Sequence, residues 1–172
     1  KARLEALQAR IRPHFLFNSI NTVTSLINDN PDAAEEALLD LSDLFRASLR
    51  EEQHLIPLSD ELDLTRRYLN MESLRLGERL QVVWQLEQSG VQILLPPLIL
   101  QPLVENAIYH GIEPRPEGGA VQITVEKEGG KLHMQVTNPL PQGGASRSKG
   151  NRLALENIAD RLSAHYGDAA SL

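Results

Sequence analysis

Two stretches of helical periodicity flank the turn Asn28-Asp-Asn-Pro-Asp32, and they restrict the fold of this chain more than any other feature. Leu4, Leu7 and Ile11 recur at spacings of three and four, as in a packed helical seam. Beyond Pro13, the residues Leu16, Ile20, Val23 and Ile27 keep that spacing on another face. A proline removes one backbone hydrogen bond and crowds the preceding turn, so one helix is predicted over 1–28, kinked at Pro13. After the turn, Asp32 is the expected N-cap of a helix over 33–53, striped by Ala34, Ala37, Leu38, Leu41, Leu44, Phe45 and Leu49. Such a hairpin is too small to stand alone. Its expected solution is to dimerise into a four-helix bundle, which makes the protein a homodimer.

The pattern then changes. Ile56-Pro57-Leu58 reads as a linker, and Ser59 as the cap of a helix to about 76 that carries Leu62, Leu69 and Leu76. Leu80–Leu86 reads as a strand, and Pro96-Pro97 as a turn leading into a helix from Leu98 to about His110. Val121–Val125 and Leu132–Val136 alternate and are separated by Glu128-Gly-Gly130, a hairpin signal. Residues 138–151 read as a loop, and a last helix is expected from Leu153 to about Tyr166, closed by Gly167. Helices followed by mixed helices and antiparallel strands predict an α+β chain with two domains, which 172 residues can accommodate.

Composition removes several function classes. A formal net charge of −6 argues against direct nucleic-acid binding, which needs a basic surface. With no cysteine, disulfides and thiolate metal sites are excluded. No run of about 18 apolar residues exists, and no signal peptide is present. The opening Lys1-Ala-Arg-Leu-Glu-Ala-Leu-Gln reads as the middle of a helix, so an upstream region carrying any membrane anchor is expected.

Three polar motifs sit on these elements. In Arg12-Pro-His-Phe-Leu-Phe-Asn18, at about 100° per residue, His14, Asn18, Asn21 and Ser25 share the side opposite the second stripe. A neutral imidazole there can attack phosphorus, and the Asn18 amide one turn later can orient a water or a phosphoryl oxygen. In Leu100-Gln-Pro-Leu-Val-Glu-Asn-Ala-Ile-Tyr-His-Gly111, an apolar face of Leu100, Leu103, Val104 and Ala107 would seat a helix on the sheet. Glu105 and Asn106 project from other faces, with His110 one turn beyond Asn106. An amide oxygen is a hard ligand suited to Mg2+, which keeps phosphates and waters as its other ligands. In Gly143-Gly-Ala-Ser-Arg-Ser-Lys-Gly-Asn-Arg152, glycines and basic residues precede a helix N-terminus, an arrangement that attracts phosphate. Each motif alone also has an ordinary reading: a surface histidine, a solvated helix face, an exposed loop.

Their order changes the weighing. The four segments are Arg12-Pro-His-Phe-Leu-Phe-Asn18-Ser-Ile-Asn21; Pro57-Leu-Ser-Asp-Glu-Leu62 with Tyr68-Leu69, Glu72 and Arg75; Gln101-Pro-Leu-Val-Glu-Asn-Ala107 with His110-Gly111; and Glu156-Asn-Ile with Arg161-Leu162 and Tyr166-Gly167. Together they resemble the LytS-like sensor histidine kinases, closest to the AlgZ type, over nearly the whole chain. The resemblance implies a dimerising phosphotransfer hairpin over 1–55 and a gyrase-like α/β sandwich that binds ATP over 56–172, its closing strand cut short after Leu172. It implies ATP and Mg2+ as cofactors, His14 as the phosphorylated residue with Asn18 beside it, Asn106 as the magnesium holder and Glu105 as the acidic residue before it. His110, Asn138, Gly150, Asn151 and Arg152 fall on its nucleotide-binding positions. The implied partner is a response regulator of LytTR type, AlgR-like, which controls transcription. The implied location is the cytoplasmic side of a bacterial inner-membrane protein, attached only through an upstream region.

The chain departs from that family's pattern at several positions. Thr137-Asn138-Pro139 stands where many relatives have Asp-Asn-Gly, so Asn138 would meet adenine through an uncharged amide oxygen. Gly150-Asn-Arg-Leu-Ala-Leu155 replaces Gly-x-Gly-x-Gly-Leu, and Arg152 and Ala154 stiffen that loop. Tyr109 stands where a basic residue is frequent, and Phe15 follows His14 in place of a carboxylate. Autophosphorylation on His14 and transfer to an aspartate of the regulator is the first expectation. The alternatives are a kinase-defective dimeric scaffold or regulator phosphatase of the same fold, and a gyrase-like ATPase that leaves the histidine segment without a role. A transmission route through Leu4, Leu7 and Ile11 to the Pro13 kink is also expected.

Overall fold

The computed structural model describes residues 13–48, 54–87, 93–140 and 149–172. The seam of Leu4, Leu7 and Ile11, the chain leading into Pro13, and Leu49 lie outside them. Helices α1 (Pro13–Asp29) and α2 (Pro31–Ser48) pair as a helical hairpin separated by Asn30 alone. The Asn30 side chain accepts the Ala33 N–H at 3.2 Å, and Pro31 opens α2, where a missing N–H costs nothing. Asn30 therefore takes the capping role that the sequence assigns to Asp32. Asp32 lies in the first turn instead, where its carboxylate complements the helix dipole.

Small residues let the two helices approach. Ser19 and Val23 of α1 and Ala34, Ala37, Leu41, Leu44 and Ala47 of α2 are buried. The α1 stripe differs from its sequence pattern, because the packed line runs through Ser19 and Val23. Ile20 and Ile27 stay 47% and 53% exposed.

Helix α3 (Leu58–Leu76) follows β1 (Ile56–Pro57) directly, so Ser59 sits inside its first turn rather than capping it. The described residues fall into two compact units, one within Lys1–Glu51 and Leu62–Gly77, the other within Glu52–Glu61 and Glu78–Leu172. Most of α3 thus belongs with the hairpin. In that first unit Arg67 Nη1 donates to the buried Asp40 carboxylate at 2.7 Å and lies 3.4 Å from Asp43, while Glu72 pairs with Arg75.

In the second unit, a 3-10 turn at Gly77–Arg79 leads to β2 (Leu80–Leu86), the short β3 (Leu94–Leu95), α4 (Leu100–Ala107), β4 (Gly119–Glu128), β5 (Lys131–Thr137) and α5 (Lys149–Tyr166). The sheet order is β2-β4-β5, with β2 parallel to β4 (Leu80 opposite Gly119) and β4 antiparallel to β5 (Glu128 opposite Lys131). Gly129 and Gly130, with φ of 55° and 79°, make the tight turn that a right-twisted hairpin favours. Val121, Ile123 and Val125 on β4 are buried, as are Leu100, Val104 and Ala107 on α4, which packs against β5.

Three sequence expectations need correction here. The linker Ile56-Pro57 is a strand paired antiparallel to β3, with Ile56 opposite Leu95. Two residues carry no readable alternation. Leu98 has φ 58° and cannot be helical, so α4 starts at Leu100. Helix α5 starts at Lys149, which places the backbone of Gly150, Asn151 and Arg152 in its first turn rather than in a loop. The helix-forming run Arg152-Leu-Ala-Leu-Glu156 gives the physical reason. The cluster of Leu95, Ile99 and Ile158, joined by Leu58, Leu103, Met134 and Leu162, seats α5. No helix among the described residues is long and apolar enough to cross a membrane.

Candidate functional site

His14 occupies the first turn of α1 and is exposed. The amide nitrogen of Asn18, one turn on, stands 3.3 Å from its Nδ1 and 3.4 Å from its Nε2. An amide N–H can donate to whichever ring nitrogen lacks a proton, so the contact holds the ring without fixing one tautomer. Phe15 turns the other way and packs on the buried Tyr68 ring, centroids 5.0 Å apart. That contact anchors the backbone while the imidazole faces outward. Asn21 and Ser25 are exposed as their spacing implies, but the Ser25 hydroxyl donates to the Thr22 carbonyl at 2.7 Å.

The remaining candidates lie in the second unit. Asn106 is on α4 and only 8% exposed, and Glu105 accepts the Gln101 side-chain N–H at 3.0 Å. After Ala107 the helix widens into a π-helical turn over Ile108–Ile112, a distortion that recurs at functional sites. The turn carries Tyr109 and His110, whose rings meet edge-on at 4.9 Å, and then Gly111. A Cβ at Gly111 would come within 2.4 Å of Asn138 Nδ2, so only glycine lets Asn138 pack there. Asn138 Nδ2 donates to the Pro139 carbonyl at 2.8 Å, leaving its Oδ1 as the acceptor. Asn138 thus meets the segment after Asn106 through a contact no local pattern announces. The side chains of Gly150-Asn151-Arg152 lie outside the described residues. An open groove of about 570 Å³, lined by Gln85, Glu87, Thr124, Glu126 and Lys127 among others, includes none of these candidates.

Two further residues hold α4, and sequence reasoning missed both. Glu61 is fully buried; its Oε1 accepts N–H groups from Ile99 (2.8 Å), Leu100 (2.8 Å) and Gln101 (3.3 Å), and its Oε2 accepts that of Leu98 (2.9 Å). These are the donors a helix start leaves unpaired, and Ile99 has no side chain to cap them. At the far end, Arg79 Nη2 donates to the carbonyls of Ile112 (3.4 Å), Glu113 (3.1 Å) and Arg115 (2.8 Å). A carboxylate at the start and a guanidinium at the finish match the helix dipole. The signal lay in Pro57-Leu-Ser-Asp-Glu-Leu62, where Glu61 reads as an ordinary first-turn acid.

Burial pushes the Glu61 carboxyl above its ordinary 4.5, against the opposing pull of the four amides. The folded chain therefore holds that proton more tightly than the unfolded one. The associated stability is complete below pH 4.5 and is lost as pH rises through the raised folded value. In urea unfolding, the stability of the wild type relative to Glu61→Gln should decline as pH climbs from 4.5; a difference that grows with pH would reverse the sign.

Asn106 carries a mostly buried carboxamide, whose oxygen is of the hard type that Mg2+ takes alongside phosphates and water. Among the described residues no cluster of His, Asp or Glu could form an all-protein metal cage.

The sensor histidine kinase/phosphatase LytS proteins of Staphylococcus aureus strains Mu50 and N315 are each 37% identical to the chain over 185 aligned positions. A Histidine kinase family model matches residues 2–80, a span that includes His14, Asn18 and Glu61. Over residues 2–80 the chain matches the histidine kinase family, and over nearly its whole length it is similar to LytS. The alignment covers 99% of this chain and 32% of each relative, so the chain spans about a third of their length. The described residues share with that match an α+β order, a helical hairpin ahead of a mixed sheet.

Proposed function

We propose that this chain is the phosphoacceptor and ATP-binding core of a sensor histidine kinase, of the AlgZ type, that phosphorylates itself on His14. The observation that carries the reading is the exposed His14 ring with the Asn18 amide 3.3 Å and 3.4 Å from its nitrogens. A neutral ring nitrogen attacks the γ-phosphorus of ATP in line. The N–P bond forms as the bond to the bridging oxygen breaks, and ADP leaves with that electron pair. Asn106 would hold Mg2+, which neutralises phosphate charge, while Glu105 and His110 flank the same helix. Asn138 Oδ1 would accept the adenine amino group, and Gly150, Asn151 and Arg152 at the start of α5 would meet phosphates. Catalysis then consists of positioning and charge neutralisation.

Residues 1–55 would act as the phosphotransfer hairpin and 56–172 as the gyrase-like ATP-binding domain. A second copy would complete a four-helix bundle. The support is the exposed apolar set on the hairpin: Phe17, Ile20, Ile27, Leu38 and Leu39. The phosphoryl group would pass to an aspartate of a LytTR-type, AlgR-like regulator, from a cytoplasmic position tethered through an upstream region. The relatives' description as kinase/phosphatase favours a second activity, with Asn18 orienting water against the phosphorylated regulator.

Incubation with Mg2+ and γ-labelled ATP tests the kinase reading. The incorporated label should survive base and be released by acid, as an N–P bond requires. Acid-stable label would contradict it, and no label together with regulator dephosphorylation would leave the phosphatase alone.

A further inference from the structure

We propose that Glu61 is a positioning residue for the magnesium nucleotide, acting through the start of α4 to set Asn106. The proposal rests on the reading of Asn106 as the magnesium holder. Leu98 adopts φ 58°, a conformation costly for a side chain with a Cβ, and it follows Pro96-Pro97. In that conformation the N–H groups of Leu98, Ile99, Leu100 and Gln101 converge on one carboxylate. The Ile99 side chain makes no capping bond, so Glu61 does the capping of α4 from another element. A helix this short behaves as a rigid rod, and turning its first residues turns Asn106 with it. Arg79 grips the carbonyls beyond the π turn, so the entry at Glu61 decides where the amide of Asn106 points. Groups that orient a ligand-bearing side chain without touching the ligand commonly govern metal affinity.

Two substitutions separate this role from bulk stability. Glu61→Gln keeps one acceptor oxygen but presents an amide N–H to the Leu98 N–H, so two donors face each other. Glu61→Asp keeps the charge and shortens the reach. Calorimetric titration with ATP, with and without Mg2+, reads the effect on the wild type and on each variant that melts as a folded chain. Glu61→Gln should weaken Mg-ATP binding about tenfold while changing magnesium-free ATP binding by no more than about twofold, and Glu61→Asp should recover part of the loss. Equal weakening with and without Mg2+ would mark a merely structural residue and overturn the proposal. Wild-type affinity in Glu61→Gln, or loss of the folded state in both variants, would overturn it as well. If the wild type itself gains nothing from Mg2+, the reading of Asn106 falls, and this inference with it.

Discussion

His14→Gln protein, given Mg2+ and γ-labelled ATP, should remain unlabelled while the wild type takes up label. Glutamine keeps a helix-compatible side chain of similar reach at an exposed position, where its amide oxygen can still accept from Asn18. What it lacks is a nucleophilic nitrogen, because the amide lone pair is delocalised into its carbonyl. Nucleotide binding should therefore persist, since the candidate nucleotide contacts belong to the other compact unit. The change should be all-or-none: the neighbouring Asn18 offers only an amide, and the Ser25 hydroxyl, about three turns on, already donates to the Thr22 carbonyl. Label at the wild-type level, measured by gel autoradiography, would remove His14 from the mechanism.

The second large effect belongs to Asn106→Ala. Deleting the amide should reduce Mg-ATP affinity about 100-fold, near the upper end of what orienting residues alone cost, because it removes the ligand atom itself. The site is 8% exposed, so some loss of stability accompanies the change, of about 1–3 kcal/mol for a buried polar group and its partners. A melting curve measured alongside the titration separates the two. Affinity within about twofold of the wild type in a folded variant would displace Asn106 from the nucleotide.

Much of the fold was legible where local periodicity coincides with burial. Strand β2 occupies Leu80–Leu86, as its alternation implies, and the Gly129-Gly130 hairpin falls where two glycines interrupt two alternating runs. Gly167, with φ 55°, ends α5 as a glycine after a helix should. What escaped the sequence depends on distant partners. The strand Ile56–Pro57 exists only because Leu94–Leu95 lies beside it, and Leu98 leaves the helix because Glu61 gathers the amides that follow. Asn30 displaced Asp32 as a cap because Pro31 starts the helix two residues early.

The same division runs through the candidate site. His14 and Asn18 are one turn apart, and their contact follows from helix geometry. Asn106 and His110 are four residues apart in sequence, but the π turn that begins at Ile108 lies between them. Asn138 meets Gly111 through the fold, and the requirement for glycine there is visible only once Asn138 is in place. Glu61 and Arg79 reach across 37–40 and 33–36 residues, separations at which no periodicity reports a partner. The departures at Asn138 and at Gly150-Leu155 were visible as residues, but their consequence is structural: α5 already winds at Lys149.

The most direct measurement is mass-spectrometric mapping of the phosphorylated residue after wild-type protein has been incubated with Mg2+ and ATP, under conditions that preserve N–P bonds. The expected result is a single phosphohistidine, in the peptide that contains His14. Phosphate on another residue, or none in a preparation that binds Mg-ATP, would contradict the assignment.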